Sequence, residues 1–290
     1  MEVRCAVGAG DMLGETPLWC APTGRLWWID VEGPCLQSLD PATGAHERHR
    51  LPRGLIGSVA LRRDGGFLVA LDAALHFFEP TTGALAPFLA VEGAGRGTRL
   101  NDGRCDGQGR FWVGTMDVGL AEPNGALYCV HPDGTVERHA DGIIVSNGVA
   151  VSPDQRTLYF SDTRRFVTWA FDLDAAAGRL SGRRVFVDYT DARERPDGAC
   201  VDAEGFVWTA IFAGGRIDRL DPSGRRERSI ALPVTNPTCP CFGGRDLETL
   251  YVTTARKFLT PQQLAAEPWA GAVLALEPGM QGLPEHRFAA

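Results

Sequence analysis

The sequence predicts an all-β protein, a six-bladed β-propeller built from four-stranded antiparallel blades. A run of aromatic and β-branched residues recurs six times along the 290 residues, and successive copies begin 42 to 49 residues apart. The copies are "GRLWWID" from Gly24, "GFLVALD" from Gly66, "GRFWVGT" from Gly109, "RTLYFSD" from Arg156, "GFVWTAI" from Gly205 and "ETLYVTT" from Glu248. A repeat of about 40 to 50 residues with four strands is typical of propeller blades. The six units leave no remainder, so a single propeller domain is expected over residues 1–290.

Each unit contains four strand-like runs, of which the recurring run is the second. A shorter run such as "GSVALRRDG" precedes it, a third such as "LQSLDPATG" ends in a turn, and a more polar fourth such as "HERHRLP" follows. Their Val, Phe, Tyr and Trp residues suit a half-buried pleated surface. The closing "EHRFAA" is a poor fourth strand and the opening "EVRCAV" a better one, so we expect the N-terminal segment to complete the sixth blade. Two β-sandwiches are the alternative, but they would not require such even spacing.

The connections predict which face of the propeller carries a site. Turns between third and fourth strands are short, as in "DPATG" and "DPSG", whereas long connections collect on the other face, at residues 91–99, 115–125, 188–196 and 254–271. In the last of these, Thr260 as N-cap, Pro261 at the first position and Gln263 form a capping box. They predict a short helix over one mouth of the channel. Long connections on a rigid scaffold are where binding sites are usually built.

Composition and charge exclude several classes of partner. The net charge of −7 argues against nucleic acid and against an anionic membrane surface. No apolar run approaches the roughly 18 residues of a membrane span, and the N-terminus does not resemble a signal peptide, so a cytoplasmic location is expected.

The eight cysteines lack zinc-site spacing and are interpreted as small buried residues. The single lysine, Lys257, would have to serve any Schiff-base mechanism.

Oxygen-bearing residues recur at one position of the repeat. Counting back eight or nine residues from each recurring run gives Glu15, Gly57, Asn101, Asn147, Asp197 and Cys239. Any one of the four acidic or amide residues could simply form a turn, but four at equivalent positions would converge on the channel axis. Without a cation between them they would repel or stay unpaired. Oxygen ligands suit calcium, magnesium or manganese, while zinc and iron(II) stay open. All six histidines fall in outer strands or their turns, which disfavours a histidine site.

Six blocks of this sequence resemble the gluconolactonase/regucalcin family, which includes the luciferin-regenerating enzyme. They are "GETPLW", "RLNDGRCDGQGRFWVGTM", "SNGVAVSPD", "RPDGACVDAEGFVW", "CFGGRDLETLYVTTAR" and "AAEPWAGAVLALEPG", in order along nearly the whole chain. The resemblance implies a six-bladed propeller with one divalent metal ion held by Glu15, Asn147 and Asp197. It also makes Asp197 the favoured proton acceptor.

The resemblance further implies a substrate site beside the metal. Arg99 and Asn101 would contact substrate hydroxyls, and Asp117 is the nearest candidate for an acidic residue that some relatives carry after "GTM". The implied activity is metal-dependent hydrolysis of a sugar (aldono) lactone to the aldonic acid in sugar catabolism, by a monomer or weak dimer. Two alternatives stay open: a non-catalytic calcium-binding regulatory propeller, and a metal-dependent hydrolase of another ester or an organophosphate.

Overall fold

Six four-stranded antiparallel sheets make up the computed structural model, which describes residues 2–52, 54–93 and 95–290. Ala94, in the connection predicted at 91–99, lies outside the described residues, as do Met1 and Arg53. The first strands of successive blades contact one another in turn, and the last contacts the first, so they form a ring around a channel. The predicted six-bladed propeller is therefore confirmed.

The strands follow the predicted repeat closely. Strand β1 is Val3–Val7, and the first blade contains β2 (Gly14–Cys20), β3 (Arg25–Asp30), β4 (Cys35–Leu39) and β5 (His46–Arg50). The second blade contains β6 (Ile56–Leu61), β7 (Phe67–Leu71), β8 (Ala74–Glu79) and β9 (Ala84–Ala90). The third contains β10 (Thr98–Cys105), β11 (Phe111–Asp117), β12 (Gly125–Val130) and β13 (Val136–Ile143).

The remaining three blades complete the ring. The fourth contains β14 (Ser146–Val151), β15 (Thr157–Asp162), β16 (Val167–Asp174) and β17 (Arg179–Asp188). The fifth contains β18 (Arg195–Val201), β19 (Val207–Phe212), β20 (Arg216–Leu220) and β21 (Arg226–Ala231). The sixth contains β22 (Pro237–Gly243), β23 (Thr249–Thr254) and β24 (Val273–Leu276), with helix α1 (Pro261–Ala266) between the last two.

The N-terminal strand closes the ring, as the sequence predicts. Strand β1 pairs antiparallel with β24, with Val3 opposite Leu276 and Cys5 opposite Leu274. The sixth sheet therefore has the order β1-β24-β23-β22 and joins both ends of the chain in one blade. Breaking the ring requires these pairs to separate, so the closure stabilises all six blades together.

The C-terminal tail after β24 takes a course that the sequence did not predict. Gly282 donates to the carbonyl of Leu247 in the sixth blade, and Phe288, fully buried, donates to that of Leu61 in the second. Between them, Glu285 forms an ion pair with Arg104 of β10 at 3.0 Å. These contacts lie where first strands end, so the tail crosses the face of the channel opposite the long connections.

Buried aspartates explain why "DGQGRFW" and "DAEGFVW" look alike. Asp106 accepts from the backbone N–H of Arg110 and from the indole of Trp112 at 2.9 Å. Asp202 makes the equivalent bond to Trp208, also at 2.9 Å. Each carboxylate ties the turn between the first two strands to an aromatic ring of the second, which satisfies polar groups that burial would otherwise leave unpaired.

The predicted capping box is present at helix α1. The hydroxyl of Thr260 accepts from the backbone N–H of Gln263, and the side chain of Gln263 accepts from the backbone N–H of Thr260. The helix itself adds no residue to the cavity at the channel mouth, whereas Lys257 and Phe258 just before it do. Among the described residues, no helix is long and apolar enough to cross a membrane.

Candidate metal and substrate site

A break in strand pairing occurs at the same place in all six blades. Near its start, each first strand shifts register against the second; the shifts are Glu15/Leu18, Ile56/Ser58, Leu100/Gly103, Asn147/Ala150, Pro196/Ala199 and Pro237/Cys239. A bulge turns side chains out of the regular alternation of a strand. The six positions predicted to be equivalent lie inside these shifts or at their edges. Their equivalence therefore has a structural cause.

The glycines of "SNG" and "PDG" are required by close packing of the inner strands. Gly148 has φ +60°, and a Cβ there would lie 3.0 Å from the carbonyl oxygen of Asp197. A Cβ on Gly198 would lie 2.4 Å from that of Cys239. These two glycines let neighbouring first strands approach, which brings Asn147 and Asp197 to the channel mouth.

A cavity of about 320 Å³ opens at this mouth. Five of the six predicted site residues line it: Glu15, Arg99, Asn101, Asn147 and Asp197. Apolar side chains, among them Met116, Val145 and Phe212, form other parts of the wall. None of the histidines is among the described residues that line it. His286 departs from the predicted peripheral placement, since it lies in the C-terminal tail and lines a smaller cavity with Arg104 and Cys200 of the inner strands. The propeller therefore brings one polar cluster together inside a mainly apolar mouth.

Hydrogen bonds fix which end of the Asn147 amide faces the cluster. Its nitrogen donates to the hydroxyl of Thr163 at 2.8 Å, and that hydroxyl donates to the carbonyl of Pro196 at 2.7 Å. Its oxygen accepts from the amide nitrogen of Asn101 at 3.0 Å. The oxygen of Asn147 is thus presented on the side of the other polar residues, in the orientation that metal ligation requires.

Two carboxylates, Glu15 and Asp197, line the same cavity as this amide oxygen and have few hydrogen-bond partners. Asp197 is 4 % exposed, and its Oδ1 has no hydrogen-bond partner among the described residues. Burial raises the pKa of Glu15 well above its ordinary value, and the negative charges of Asp197 and Asp102 raise it further. Burial, with the charge of Asp102, raises the pKa of Asp197 in the same way. Such a pair is unfavourable when both groups are ionised and no cation is present.

Asp102 is the residue of this cluster that sequence reasoning missed. It is 6 % exposed, its Oδ2 accepts from the backbone N–H of Val149 at 2.8 Å, and burial raises its pKa. In "NDG", the repeat predicts Asn101 alone as the residue that faces the channel axis. The register shift between Leu100 and Gly103 places Asn101 and Asp102 at the bulge. The signal in the sequence that could have identified Asp102 was this pair of adjacent polar side chains.

Arg99 and Asn101 form a connected pair on the cavity wall. Arg99 donates from Nη1 to Oδ1 of Asn101 at 2.7 Å and to the carbonyl of Leu100 at 2.9 Å. Asn101 also donates to the carbonyl of Ser146 at 2.7 Å. Arg99 is 8 % exposed, and burial lowers its pKa to about 10, so it carries its charge at neutral pH. The cavity therefore contains a buried, ionised arginine next to the amide cluster.

Asp117 is placed differently from the other five predicted residues. It does not line the cavity. Its Oδ2 accepts from the backbone N–H groups of Ala121 and Glu122 at 3.0 and 3.1 Å, and its Oδ1 accepts from Asn124 at 3.0 Å. The two backbone hydrogen bonds hold its pKa below the usual range. In this structure Asp117 anchors the connection that carries Leu120 to the cavity.

Comparison with known proteins identifies the family. The family model described as the SMP-30/Gluconolactonase/LRE-like region matches residues 13–256. This chain belongs to that family. It is 37% identical to a 6-deoxy-6-sulfogluconolactonase of Pseudomonas putida, over 99% of this chain and 98% of that protein. It is 34% identical to regucalcin of Oryctolagus cuniculus, over 100% of this chain and 99% of that one.

A solved structure of the same family has nearly the same fold. The crystal structure of a calcium-binding protein, regucalcin, from Agrobacterium tumefaciens superimposes with a TM-score of 0.94 at 32% sequence identity. The likeness covers 100% of this chain and 98% of that one. The SMP-30/gluconolactonase fold therefore extends over the whole chain, and its known members include both lactone-hydrolysing and calcium-binding proteins.

The donor set of this family member fits a hard divalent cation. In the described part of the chain no three His, Cys, Asp or Glu residues group into a metal site, because the cluster combines two carboxylates with one amide. Glu15, Asn147 and Asp197 all line one cavity, and Asp197 Oδ1 has no hydrogen-bond partner in the part of the chain that the structure describes. Carboxylate and amide oxygens are the ligands that such cations prefer. A cation would also offset the repulsion between the carboxylates.

Metal binding is expected to release protons. Because burial raises the pKa of Glu15 and Asp197, a cation bound between them would compete with protons for the two carboxylates. Affinity should therefore rise with pH, and calorimetry in buffers of different ionisation enthalpy should detect proton release when the ion binds. Asp197→Asn should remove most of that release. A pH-independent affinity without proton release would contradict the arrangement.

Proposed function

We propose that this protein hydrolyses a sugar (aldono) lactone to the corresponding aldonic acid, with one divalent metal ion held by Glu15, Asn147 and Asp197. One observation carries the proposal: an unpartnered, buried carboxylate oxygen of Asp197 lies in the same cavity as a second carboxylate and an oriented amide oxygen. Membership of the SMP-30/gluconolactonase family and 37% identity to a 6-deoxy-6-sulfogluconolactonase support lactone hydrolysis.

The residues divide into three roles. The divalent ion would polarise the lactone carbonyl and stabilise the negative charge that develops on its oxygen. Asp197 accepts the proton of the attacking water, and the same proton is then available to the ring oxygen that leaves. Arg99 and Asn101, already joined by a hydrogen bond, orient the hydroxylated ring through their remaining polar atoms. The apolar wall excludes bulk water around them.

A second function is favoured by one comparison. The solved relative from Agrobacterium tumefaciens is described as a calcium-binding protein, and a binding role would need the same three oxygen ligands. The two functions differ in whether the protein converts a bound lactone to product. The connected pair of Arg99 and Asn101 favours the enzyme, because binding a cation alone gives no reason for a buried arginine beside the ligands.

The direct test is proton release from a panel of lactones. Protein stripped by a chelator is given back single ions (calcium, magnesium, manganese, zinc or iron(II)) and mixed with neutral and charged aldonolactones, simple esters and an organophosphate. The proposal expects turnover of aldonolactones above the spontaneous rate, lost on stripping and restored by an ion. Cation binding without turnover of any compound would favour the calcium-binding function, and preference for a simple ester or the organophosphate would replace the substrate class.

Two substitutions should separate metal binding from substrate binding. Thr163→Val removes the group that holds the Asn147 amide and is expected to weaken metal affinity roughly ten- to a hundredfold. Asn101→Ala leaves that anchor in place but removes the donor to the Asn147 oxygen, so it should raise KM for the lactone about tenfold or more while changing metal affinity less than Thr163→Val does. Metal titration and steady-state kinetics on both variants check this. Unchanged kinetics in Asn101→Ala would remove Asn101 from the substrate site.

A further inference from the structure

Positive charge surrounds the mouth of the cavity in a protein that is acidic overall. The chain carries a net charge of −7, yet the charged residues that line this cavity include four cations: Arg99, Arg164, Arg195 and Lys257. Among the described residues, two carboxylates line it, Glu15 and Asp197. A divalent ion between those two would neutralise them, which leaves the cations in excess. Neither metal binding nor the orientation of a neutral ring requires this excess.

Arg164 has no acidic partner in the described part of the chain. It lies in the turn between β15 and β16, directly after Thr163, and its Nε donates to the carbonyl of Leu120 across the mouth at 3.1 Å. The neighbouring carboxylate, Asp162, is already occupied, since its oxygens accept from the backbone N–H groups of Ile144 at 2.8 Å and Val145 at 3.1 Å. The Nη groups of Arg164 make no hydrogen bond to another described residue.

Arg195 is also without a counter-charge. It opens strand β18, two residues before Asp197, and lines the cavity partly buried. No carboxylate of the described residues lies within 4 Å of it. The adjacent Glu194 instead binds Arg216 at 2.6 Å and Arg226 at 3.0 Å. A partly buried guanidinium without a partner costs free energy, which an anionic ligand would offset.

Lys257 differs from the two arginines and serves as an internal comparison. Its Nζ forms an ion pair with Glu32 and lies 5.1 Å from the ring centroid of Phe258. The charge of Lys257 is therefore largely satisfied within the protein. Arg99 is bound to Asn101 inside the cavity, so among the described residues the cations at the mouth with free guanidinium N–H groups and no ion pair are Arg164 and Arg195, from the adjacent fourth and fifth blades.

We propose that Arg164 and Arg195 are specificity-determining residues for an aldonolactone that carries an anionic group at the end remote from the lactone carbonyl. This inference rests on the proposed lactonase function and adds the class of substrate. The group is a carboxylate, phosphate or sulfonate, since guanidinium groups bind all three oxyanions through paired N–H donors. With the lactone carbonyl at the three oxygen ligands, the far end of the sugar reaches the mouth, where the two arginines meet it.

Kinetics on matched substrates test this assignment. The panel is gluconolactone as the neutral compound, a glucarolactone with a terminal carboxylate, 6-phosphogluconolactone, and the sulfonate analogue 6-deoxy-6-sulfogluconolactone. We expect kcat/KM for at least one anionic compound to exceed that for gluconolactone roughly tenfold or more, mainly through KM. Added salt should reduce this preference, because screening weakens attraction between partly exposed charges. The preferred compound identifies which oxyanion the site takes.

Substitution of the arginines links the preference to these residues. The double variant Arg164→Gln/Arg195→Gln should lose about ten- to a hundredfold in kcat/KM on the preferred anionic lactone and change little on gluconolactone. The control, Arg225→Gln, removes one positive charge from a side chain 83% exposed in the turn between β20 and β21, on the opposite face. It should leave both activities unchanged.

The two proposals fail in different ways. Equal turnover of neutral and anionic lactones, with no effect of the double variant, would overturn the specificity assignment and leave the lactonase function intact. A uniform loss on all substrates in the double variant would overturn it as well, since the arginines would then support the site as a whole. Absence of turnover on every lactone with any ion would overturn both proposals.

Discussion

Asp197→Asn is expected to lower kcat/KM by on the order of a thousandfold or more, because it removes both a metal ligand and the proton acceptor. The same substitution should leave the metal-free protein at least as stable as the wild type. The buried carboxylate has an unpartnered oxygen and a second carboxylate nearby, so the neutral amide relieves repulsion. Loss of activity with retained or increased thermal stability is the expected signature of a functional residue.

The sign of the pH dependence follows from the same groups. The pKa values of Glu15 and Asp197 are raised in the folded, metal-free protein, so the stability associated with their protonated forms is present at low pH. It is lost as pH rises through those folded-state values. Thermal melts of the stripped proteins should therefore show the wild type losing stability relative to Asp197→Asn as pH rises.

Glu92 provides a matched buried carboxylate outside the cavity. It is 6 % exposed and accepts hydrogen bonds from Tyr128 at 2.6 Å and Thr115 at 3.1 Å. Glu92→Gln should lower stability and leave kcat/KM nearly unchanged, the reverse of Asp197→Asn. If Asp197→Asn instead melted at a much lower temperature and kept its residual activity per folded molecule, the carboxylate would be structural and the assignment of the site would be wrong.

Asp202→Ala is expected to cause the largest loss of stability. Asp202 is fully buried and accepts from the backbone N–H of Phe206, the indole of Trp208 and the guanidinium of Arg219 at 2.9 Å each. Removing it leaves these donors unpaired inside the fifth blade. Breaking such a buried pair costs roughly 3 to 5 kcal/mol, which corresponds to a fall of about 5 to 8 °C in melting temperature for a chain of this length.

The control for this prediction is an aspartate in an exposed turn. Asp133 accepts from the backbone N–H of Thr135 and is open to solvent. Asp133→Ala should melt close to the wild type in the same scan, measured by circular dichroism or calorimetry with metal present in all samples. A small effect of Asp202→Ala, similar to that of Asp133→Ala, would mean that the Asp–Trp bonds contribute little to the fifth blade.

The repeat made the architecture predictable. Each blade needs an apolar second strand to pack against its neighbours, so aromatic runs such as the one at Trp27 and Trp28 recur at nearly constant spacing. The closure by β1 was also predictable, because "EVRCAV" has the strand pattern that "EHRFAA" lacks. The channel position of Asn101, Asn147 and Asp197 followed from counting within the repeat, since all inner strands bulge at the same point.

Features that depend on contacts between distant segments could not be predicted in the same way. The C-terminal tail has no repeat partner, and its burial at Phe288 depends on three-dimensional packing against the second and third blades. Asp117 is an acidic residue at the end of a strand, and only the structure reveals that its oxygens bind the following connection. Arg164 and Arg195 are separated by 31 residues, and adjacent blades bring them to one mouth.

The central claim is that one divalent ion at Glu15, Asn147 and Asp197 is required for lactone hydrolysis. The most direct measurement titrates stripped protein with the activating ion while bound metal and lactone turnover are recorded on the same samples. Turnover should rise in proportion to bound ion and saturate at about one ion per chain, and Asp197→Asn should bind the ion weakly and lose nearly all turnover. Full turnover by metal-free protein, or activity that does not follow occupancy of this site, would contradict it.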